Sequence, residues 1–298
     1  MRIAILILAH KNPAQLQRLI NHFNKDFSVY VHADRKMNFQ TSGEDAQIIS
    51  NYSVSWGSYK QILATRDLFS LAHKDRYDRY LLISGQDLPL KSNRQLISFF
   101  EENPHNYIEY RKLPSADGWG GGPRVKRMSL YWFDESRDKS SFRRKLKKKF
   151  QKLLHKIQKR LFHYRKLPEN LYGGANWMDL NQQAMDVITS HIEQNPSCLE
   201  RYRNTRCADE IFFQSVLLNT PEKLSFVNRS LRYVDMETGP EHPRILRIND
   251  LAGLRSSNQL FARKFDEEID NEVIDAIYDS LDAPAVSADV NPQVFALE

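Results

Sequence analysis

Apolar positions along the chain switch between two periods from the outset. IAILILA, Ile3 to Ala9, is apolar at every position with polar residues on either side, the pattern of a strand buried on both faces. Directly after it, Leu16, Leu19, Ile20 and Phe23 fall at helical spacing behind Asn12-Pro13, a good helix opening. The alternation continues with a strand in DFSVYVHAD, a short one in AQIISN, and a helix in WGSYKQILATRDLFSLAH with Ser58 as its N-cap. RYLLISGQDLPL predicts a fourth strand running into a turn, LISFFEEN a helix ending at Asn103-Pro104, and NYIEYRKL a further strand.

After Leu113 the rhythm breaks. PSADGWGGGPRVKR is a loop, and a basic amphipathic segment follows it. YGGANWMDLNQQAMDVITSHI then reads as strand and helix, with a second helix from Ala208. LRYVDM is a strand, HPRILRINDLAGLRSS a strand and short helix, ARKFDEEIDNEVIDAIYDSL a last helix, and residues 281–298 a loose tail. No internal repeat is visible. This order of elements predicts an open, mostly parallel α/β sheet. Ligands of such sheets lie beyond the C-terminal strand ends, and here those ends carry His10, Asp34 and Gln86-Asp87 along one rim.

Composition is that of an ordinary globular protein: 298 residues, 41% hydrophobic and 27% charged, enough to bury one large or two modest domains. The apolar N-terminal run is too short to span a bilayer and has no small-residue cleavage site after it. The cytoplasm is therefore the expected location. Two cysteines, Cys198 and Cys207, make no disulfide framework, although a single bridge between them stays open. The net charge of +6 is uneven: residues 142–166 hold twelve of the 43 Lys/Arg and no acid, so the rest of the chain has an excess of acids. Within FRRKLKKKFQKLLHKIQKRLF, Phe142, Leu146, Phe150, Leu153, Leu154, Ile157 and Leu161 form one stripe. Such a helix fits an anionic membrane surface, phosphate contacts to nucleic acid, or a solvated helix whose stripe packs on the domain. No base-reading module or aromatic interleaving supports nucleic acid, and the membrane surface is slightly preferred.

Familiar enzyme signatures are absent: no Walker-type phosphate loop, no G-x-G-x-x-G after a strand, no H-E-x-x-H, no G-x-S-x-G, and no zinc-ligand spacing among nine histidines. Asp209-Glu210 opens a helix that continues with Ile211, Phe212, Phe213, Val216, Leu217 and Leu218. Acids in a first turn complement the free N–H groups and the dipole there, so this pair reads either as a helix cap or as a carboxylate held to take a proton.

Seven segments taken in order carry a resemblance. LILAHKNPAQLQRLI, YVHAD, SVSWGSYKQILAT, YLLISGQDLPLKS, YGGANWMDL, CADEIFFQSVLLN and LFARKFD resemble the core-2/I-branching β-1,6-N-acetylglucosaminyltransferase family, which also contains xylosyltransferases. The match covers roughly residues 1–270. It implies an α/β glycosyltransferase fold of the GT-A type, with a nucleotide-sugar-binding half (1–113) and an acceptor half (114–280) that includes the basic segment, in one continuous domain. It also implies inverting transfer from a UDP-sugar, most naturally UDP-N-acetylglucosamine, to a hydroxyl of a glycan or lipid-linked glycan. UDP-xylose or another UDP-sugar, and a non-catalytic binding module using the basic helix, are the alternatives.

What the resemblance implies for residues follows motif by motif. Glu210 of CADEIFF corresponds to the glutamate of the family's P-D-E block, the base that deprotonates the acceptor, with Ala208 in place of the usual proline; Asp209 would then cap the helix. No Asp-x-Asp occurs anywhere in the chain, as in the family's branching enzymes, where basic side chains hold the diphosphate without a metal; Arg244 and Lys264 match that role, with Arg247 the alternative to Arg244. His10, Asp34, Trp56 and Asp87 would face the nucleotide or donor, and Trp119 and Trp177 the acceptor side. Set against animal Golgi relatives, the few cysteines and absent membrane stem point to a bacterial cytoplasmic enzyme of surface polysaccharide or lipopolysaccharide synthesis, peripheral to the inner face of the cytoplasmic membrane.

Overall fold

The computed structural model describes residues 1–40, 46–122, 125–133 and 142–282. The predicted alternation is present: β1 (Ile3–Ala9), α1 (Pro13–Phe23), β2 (Ser28–Ala33), β3 (Gln47–Ile49), α2 (Tyr59–His73), β4 (Arg79–Ser84), β5 (Asp87–Pro89) and α3 (Asn93–Glu102). Next come β6 (Asn106–Ile108), β7 (Arg111–Lys112), α4 (Lys126–Ser129), α5 (Phe142–Arg160), β8 (Tyr172–Gly173), β9 (Met178–Asn181), α6 (Gln182–Gln194) and α7 (Asp209–Leu218). The chain closes with β10 (Phe226–Asn228), β11 (Arg232–Val234), α8 (Leu251–Ser256), β12 (Phe261–Arg263) and α9 (Glu272–Asp282). The tail beyond 282 lies outside the described residues.

The main sheet has the order β10-β6-β9-β4-β1-β2-β3. Every pairing in it is parallel except those of β9, which runs against both β4 and β6. β1 lies in the middle, so its two faces enter two different cores. Ile3, Ile5, Ile7 and Ala9 pack with α1, α3 and α9, while Ala4 and Leu6 pack with α2, α6 and α7. That is why IAILILA shows no polar alternation. The expected α/β architecture is therefore observed, as a helix–sheet–helix sandwich. Residues beyond 113 contribute β9 and β10 to the same sheet as β1–β4.

Four elements differ from expectation. NYIEYRKL breaks into β6 and β7, and YGGANWMDL into β8 and β9, because β7 and β8 leave the main sheet to pair with each other. Gly174 makes this departure feasible: a Cβ there would lie 1.9 Å from the Glu109 carbonyl oxygen, so only glycine permits the close crossing. HPRIL is not a strand. LFARKFD is not the start of the last helix: Phe261–Arg263 form β12, which pairs antiparallel with β5 and parallel with β11 in a separate three-stranded sheet. Ser58 occupies the N-cap position of α2, yet its hydroxyl makes no capping hydrogen bond.

This small sheet is tied to the main one by charge. Arg232 on β11 forms a two-pronged ion pair with Asp179 on β9 and donates to the Leu82 carbonyl on β4 at 2.9 Å. Both charged side chains are completely buried.

Candidate active site

At the C-terminal ends of β1 and β4, three of the recognised segments meet. Phe265 N–H donates to the Gln86 carbonyl at 2.8 Å and Gln86 Nε2 returns a bond to the Phe265 carbonyl at 3.0 Å. Lys11 pairs with Asp266, and Asn12 Nδ2 donates to Asp266 Oδ1 at 2.6 Å. The turn after β12 is thereby fastened onto the strand-end rim. On that rim His10 is exposed at the end of β1, whereas Asp34 is buried and accepts from the backbone N–H groups of Lys36 (2.8 Å) and Val54 (2.9 Å). Asp87 is buried too, and accepts from the N–H (3.0 Å) and hydroxyl (2.6 Å) of Ser84. Its carboxylate orders the turn that leads into Pro89.

The turn delivers two cations side by side. Lys264 follows β12 directly, outside any helix, and its ammonium pairs with Glu241 at 2.9 Å. Leu246 N–H donates to the Lys264 carbonyl at 2.9 Å, which lays the HPRIL segment alongside. Arg244 is thus the neighbour of Lys264. Its guanidinium donates once to Asp235 (2.8 Å) and twice to Asp250 (2.8 Å each), and these charge-assisted bonds raise its pKa still further. Arg247 is exposed, and its backbone exchanges hydrogen bonds with Asp250: its N–H donates to Asp250 Oδ2 at 2.7 Å and its carbonyl accepts from Asp250 N–H at 2.8 Å. A third cation was missed in the sequence. Arg263, registered opposite Asp87, lies 3.6 Å from that carboxylate and 4.1 Å from the ring centre of Trp177. Two of its N–H groups, Nε and Nη1, are buried with no hydrogen-bond partner, and burial lowers its pKa.

Glu210 stands at the start of α7, and its side chain retains 27% exposure. It pairs with Arg127, whose guanidinium lies 4.5 Å from the ring centre of Trp119. Trp119 in turn packs on Gly173, where a Cβ would come within 2.4 Å of the indole. Burial raises the Glu210 pKa and the Arg127 charge opposes that rise. Arg127 was not singled out from sequence, because it is 83 positions from Glu210 in a segment read as a loop.

Asp209 does not cap the helix. Ala208 holds the N-cap position and no side-chain capping bond is made. Asp209 instead points inward, buried, receives a 3.3 Å bond from Gln61 Nε2, and leaves Oδ1 without a partner. Burial, then the adjacent Glu210 charge, push its pKa up to about 8. A carboxyl raised in the folded state takes up a proton on folding, so it lowers stability as pH climbs from the unfolded carboxylate range toward 8. Asp209→Asn should therefore melt above the wild type at pH 8, the gap closing toward pH 5. Differential scanning calorimetry across that range checks it, and a gap that is constant with pH would contradict it.

Two linkers join the strand-end rim to the start of α7. Val54 N–H reaches Asp34, while Gly57, three residues on, bonds Gln61 and accepts from Cys207 N–H at 2.9 Å. Trp56 on this linker is 55% exposed, with the Arg206 guanidinium 5.3 Å from its ring centre. On the other side, Gly174 N–H donates to the Glu210 carbonyl at 2.9 Å, and Trp177 lies under Arg263. Three Cα–Cα steps separate Gly174 from Trp177, a reach of at most ~11 Å. Trp177 hence lies against Arg263, and Trp119 against the Glu210–Arg127 pair. Among the described residues, no three His, Cys, Asp or Glu side chains converge as a metal-binding group. Cys198 and Cys207 are free thiols, so the open question of a bridge closes. A groove of about 810 Å³, lined in part by His191, Arg201 and Asn219, lies beyond the C-terminal half of α7 and takes no part in this cleft.

All seven recognised segments are therefore joined by direct contacts. A family model described as Core-2/I-Branching enzyme matches residues 3–254. The chain belongs to this family. Within the Core-2/I-Branching family the GT-A-like α/β architecture follows as well. The chain is 27% identical over 212 residues to the β-glucuronosyltransferase GlcAT14A of Arabidopsis thaliana, covering 69% of this chain and 43% of that protein. It is 24% identical over 253 residues to xylosyltransferase 1 of Homo sapiens, covering 78% and 24%, and 22% identical over 312 residues to xylosyltransferase 2 of Rattus norvegicus, covering 93% and 33%. The chain thus spans less than half the length of these curated relatives.

Proposed function

We propose that this chain is an inverting, metal-independent glycosyltransferase that moves a sugar from a UDP-sugar to a hydroxyl of a glycan. The observation that carries the reading is the Gly173–Trp177 segment, which puts a partly exposed carboxylate at one end and a cluster of cations at the other. Glu210, the accessible member of the acidic pair, takes the acceptor proton as the acceptor oxygen bonds to the anomeric carbon. The bond from that carbon to the β-phosphate oxygen breaks, and UDP leaves with the electron pair. Arg244 and Lys264, already adjacent and oriented by Asp235, Asp250 and Glu241, take up the charge on the departing diphosphate. Asp34 and Asp87 shape the donor side by fixing backbone, and Trp177 and Trp119 offer apolar ring surface to the sugars.

The donor sugar divides two readings. Resemblance to the branching enzymes supports N-acetylglucosamine. A glucuronosyl donor is favoured by the unpaired N–H groups of Arg263, which suit a sugar carboxylate, and by the similar glucuronosyltransferase; xylose is the neutral analogue lacking that carboxylate. Release of UDP by the purified protein from UDP-N-acetylglucosamine, UDP-xylose and UDP-glucuronate separates them. One donor should be turned over. Arg263→Met should cut kcat/KM by on the order of 10²-fold if that donor is the uronate, and far less for a neutral sugar. Silence with all three donors, together with no UDP binding, would sink the transferase reading. The acceptor is proposed to be a surface polysaccharide or lipid-linked glycan.

A further inference from the structure

We propose that α5 is a docking surface for an anionic lipid bilayer. Amphipathic helices of globular proteins turn their apolar stripe to the core, and α5 does the opposite. Its hydrogen bonds to the body of the protein come from a polar face, and the stripe touches the body at one end, where Phe150 meets the half-exposed Phe133 with ring centres 6.2 Å apart. Gln151 bonds the Tyr131 carbonyl (2.6 Å) and Phe133 N–H (3.0 Å), His155 approaches the Tyr131 carbonyl (3.0 Å), and Gln158 accepts from Tyr131 N–H (3.3 Å). Gln151, His155 and Gln158 share one face. The stripe Phe142, Leu146, Phe150, Leu153, Ile157 and Leu161 is centred about 140° around the helix from it, at ~100° per residue. Those six side chains are 45–79% exposed, and Phe162 is 76% exposed beside them. Only Leu154, counted with the stripe in the sequence, turns partly inward.

Charge decides what covers this surface. Lys145, Lys148, Lys149, Lys152, Lys156 and Lys159 border the stripe, and no acid occurs between residues 142 and 166. A second copy docking stripe to stripe would bring two such cationic bands together, which is repulsive. Nucleic acid would neutralise the lysines but leave six large apolar side chains in water. An anionic membrane satisfies both, with apolar side chains in the acyl boundary and ammonium groups at the headgroups. No helix among the described residues is long and apolar enough to cross a membrane, so the attachment would be peripheral.

The docking face is wired to the acceptor side of the cleft. The 131–133 segment that carries α5 holds Trp132, whose indole donates to the Lys126 carbonyl at 2.9 Å and lies 5.1 Å from the Arg206 guanidinium. Arg206 N–H donates to the carbonyl of Arg127, the partner of Glu210. This deepens the proposed function, since it brings the base toward a membrane-borne glycan, though the docking itself does not depend on that reading.

Co-sedimentation of the full chain with vesicles tests it. Binding is expected to vesicles of phosphatidylcholine with a quarter phosphatidylglycerol at low salt, to be absent on pure phosphatidylcholine, and to weaken in 0.5 M NaCl. Leu153→Glu/Ile157→Glu should weaken binding at least tenfold with an unchanged melting temperature, because both side chains are exposed already. No sedimentation with anionic vesicles at low salt would overturn the proposal, as would binding indifferent to the double variant. A concentration-dependent dimer that the double variant dissolves would overturn it as well, in favour of self-association. UDP release by the double variant in solution should match the wild type, which keeps failure of docking distinct from failure of catalysis.

Discussion

Glu210→Gln should lose about 10²–10⁴-fold in kcat while its affinity for UDP stays within a few-fold of the wild type. The amide preserves the size of the side chain and can still accept from Arg127, so the packing of Arg127 on Trp119 is retained. What disappears is the capacity to take a proton from the acceptor. Asp209 cannot substitute, being buried and turned toward Gln61. In the wild type, burial raises the Glu210 pKa, so the rate should climb with pH through the acid limb as the carboxylate forms, and the variant should lack that limb. Single-turnover kinetics with calorimetric UDP titration separates the two effects. An undiminished rate would remove Glu210 from the base role and favour a binding module over an enzyme.

The largest effect on stability is expected at Arg232. Arg232→Met leaves the Asp179 carboxyl fully buried and deprived of its partner, a loss of about 3–5 kcal/mol, on the order of 10 °C in melting temperature for a chain of this size. The ion pair links β11 to β9 and holds the small sheet that carries Arg263 and Lys264 against the main sheet. Adding Asp179→Leu should recover much of the loss, because the orphaned buried carboxyl goes with it. Thermal melts of the two variants check this, and a double variant no more stable than Arg232→Met would show that the pair does more than neutralise buried charge.

Local pattern made most of the first hundred residues readable. IAILILA and RYLLIS are continuous apolar runs because they sit in the middle of the sheet with helices on both faces, and Asn12-Pro13 opens α1 where expected. The chain beyond residue 105 was less legible. β7, β8 and β12 are two or three residues long, too short to display a period, and they are fixed by pairing with distant segments. The same reason hid Arg127 and Arg263: their partners Glu210 and Asp87 are distant in sequence. Asp209 and Glu210 show what composition conceals. Both acids open one helix, yet the chain buries the first and leaves the second accessible, a distinction made by Gln61 and Arg127 rather than by helix-start preference. In α5 the period was read correctly and the facing was not determined by it. A hydrophobic stripe says where apolar side chains lie on a helix, but only the glutamine contacts to residues 131–133 say which way that stripe looks.

The proposed site holds UDP through Arg244 and Lys264, opposite Glu210, without a metal. Calorimetric titration of UDP into the EDTA-treated protein tests it most directly, with wild type and Lys264→Ala side by side. The wild type should bind with an affinity that manganese leaves unchanged, and the variant at least tenfold more weakly. Wild-type binding that appears only when manganese is restored, with Lys264→Ala indistinguishable from it, would mean that a metal rather than these cations holds the diphosphate.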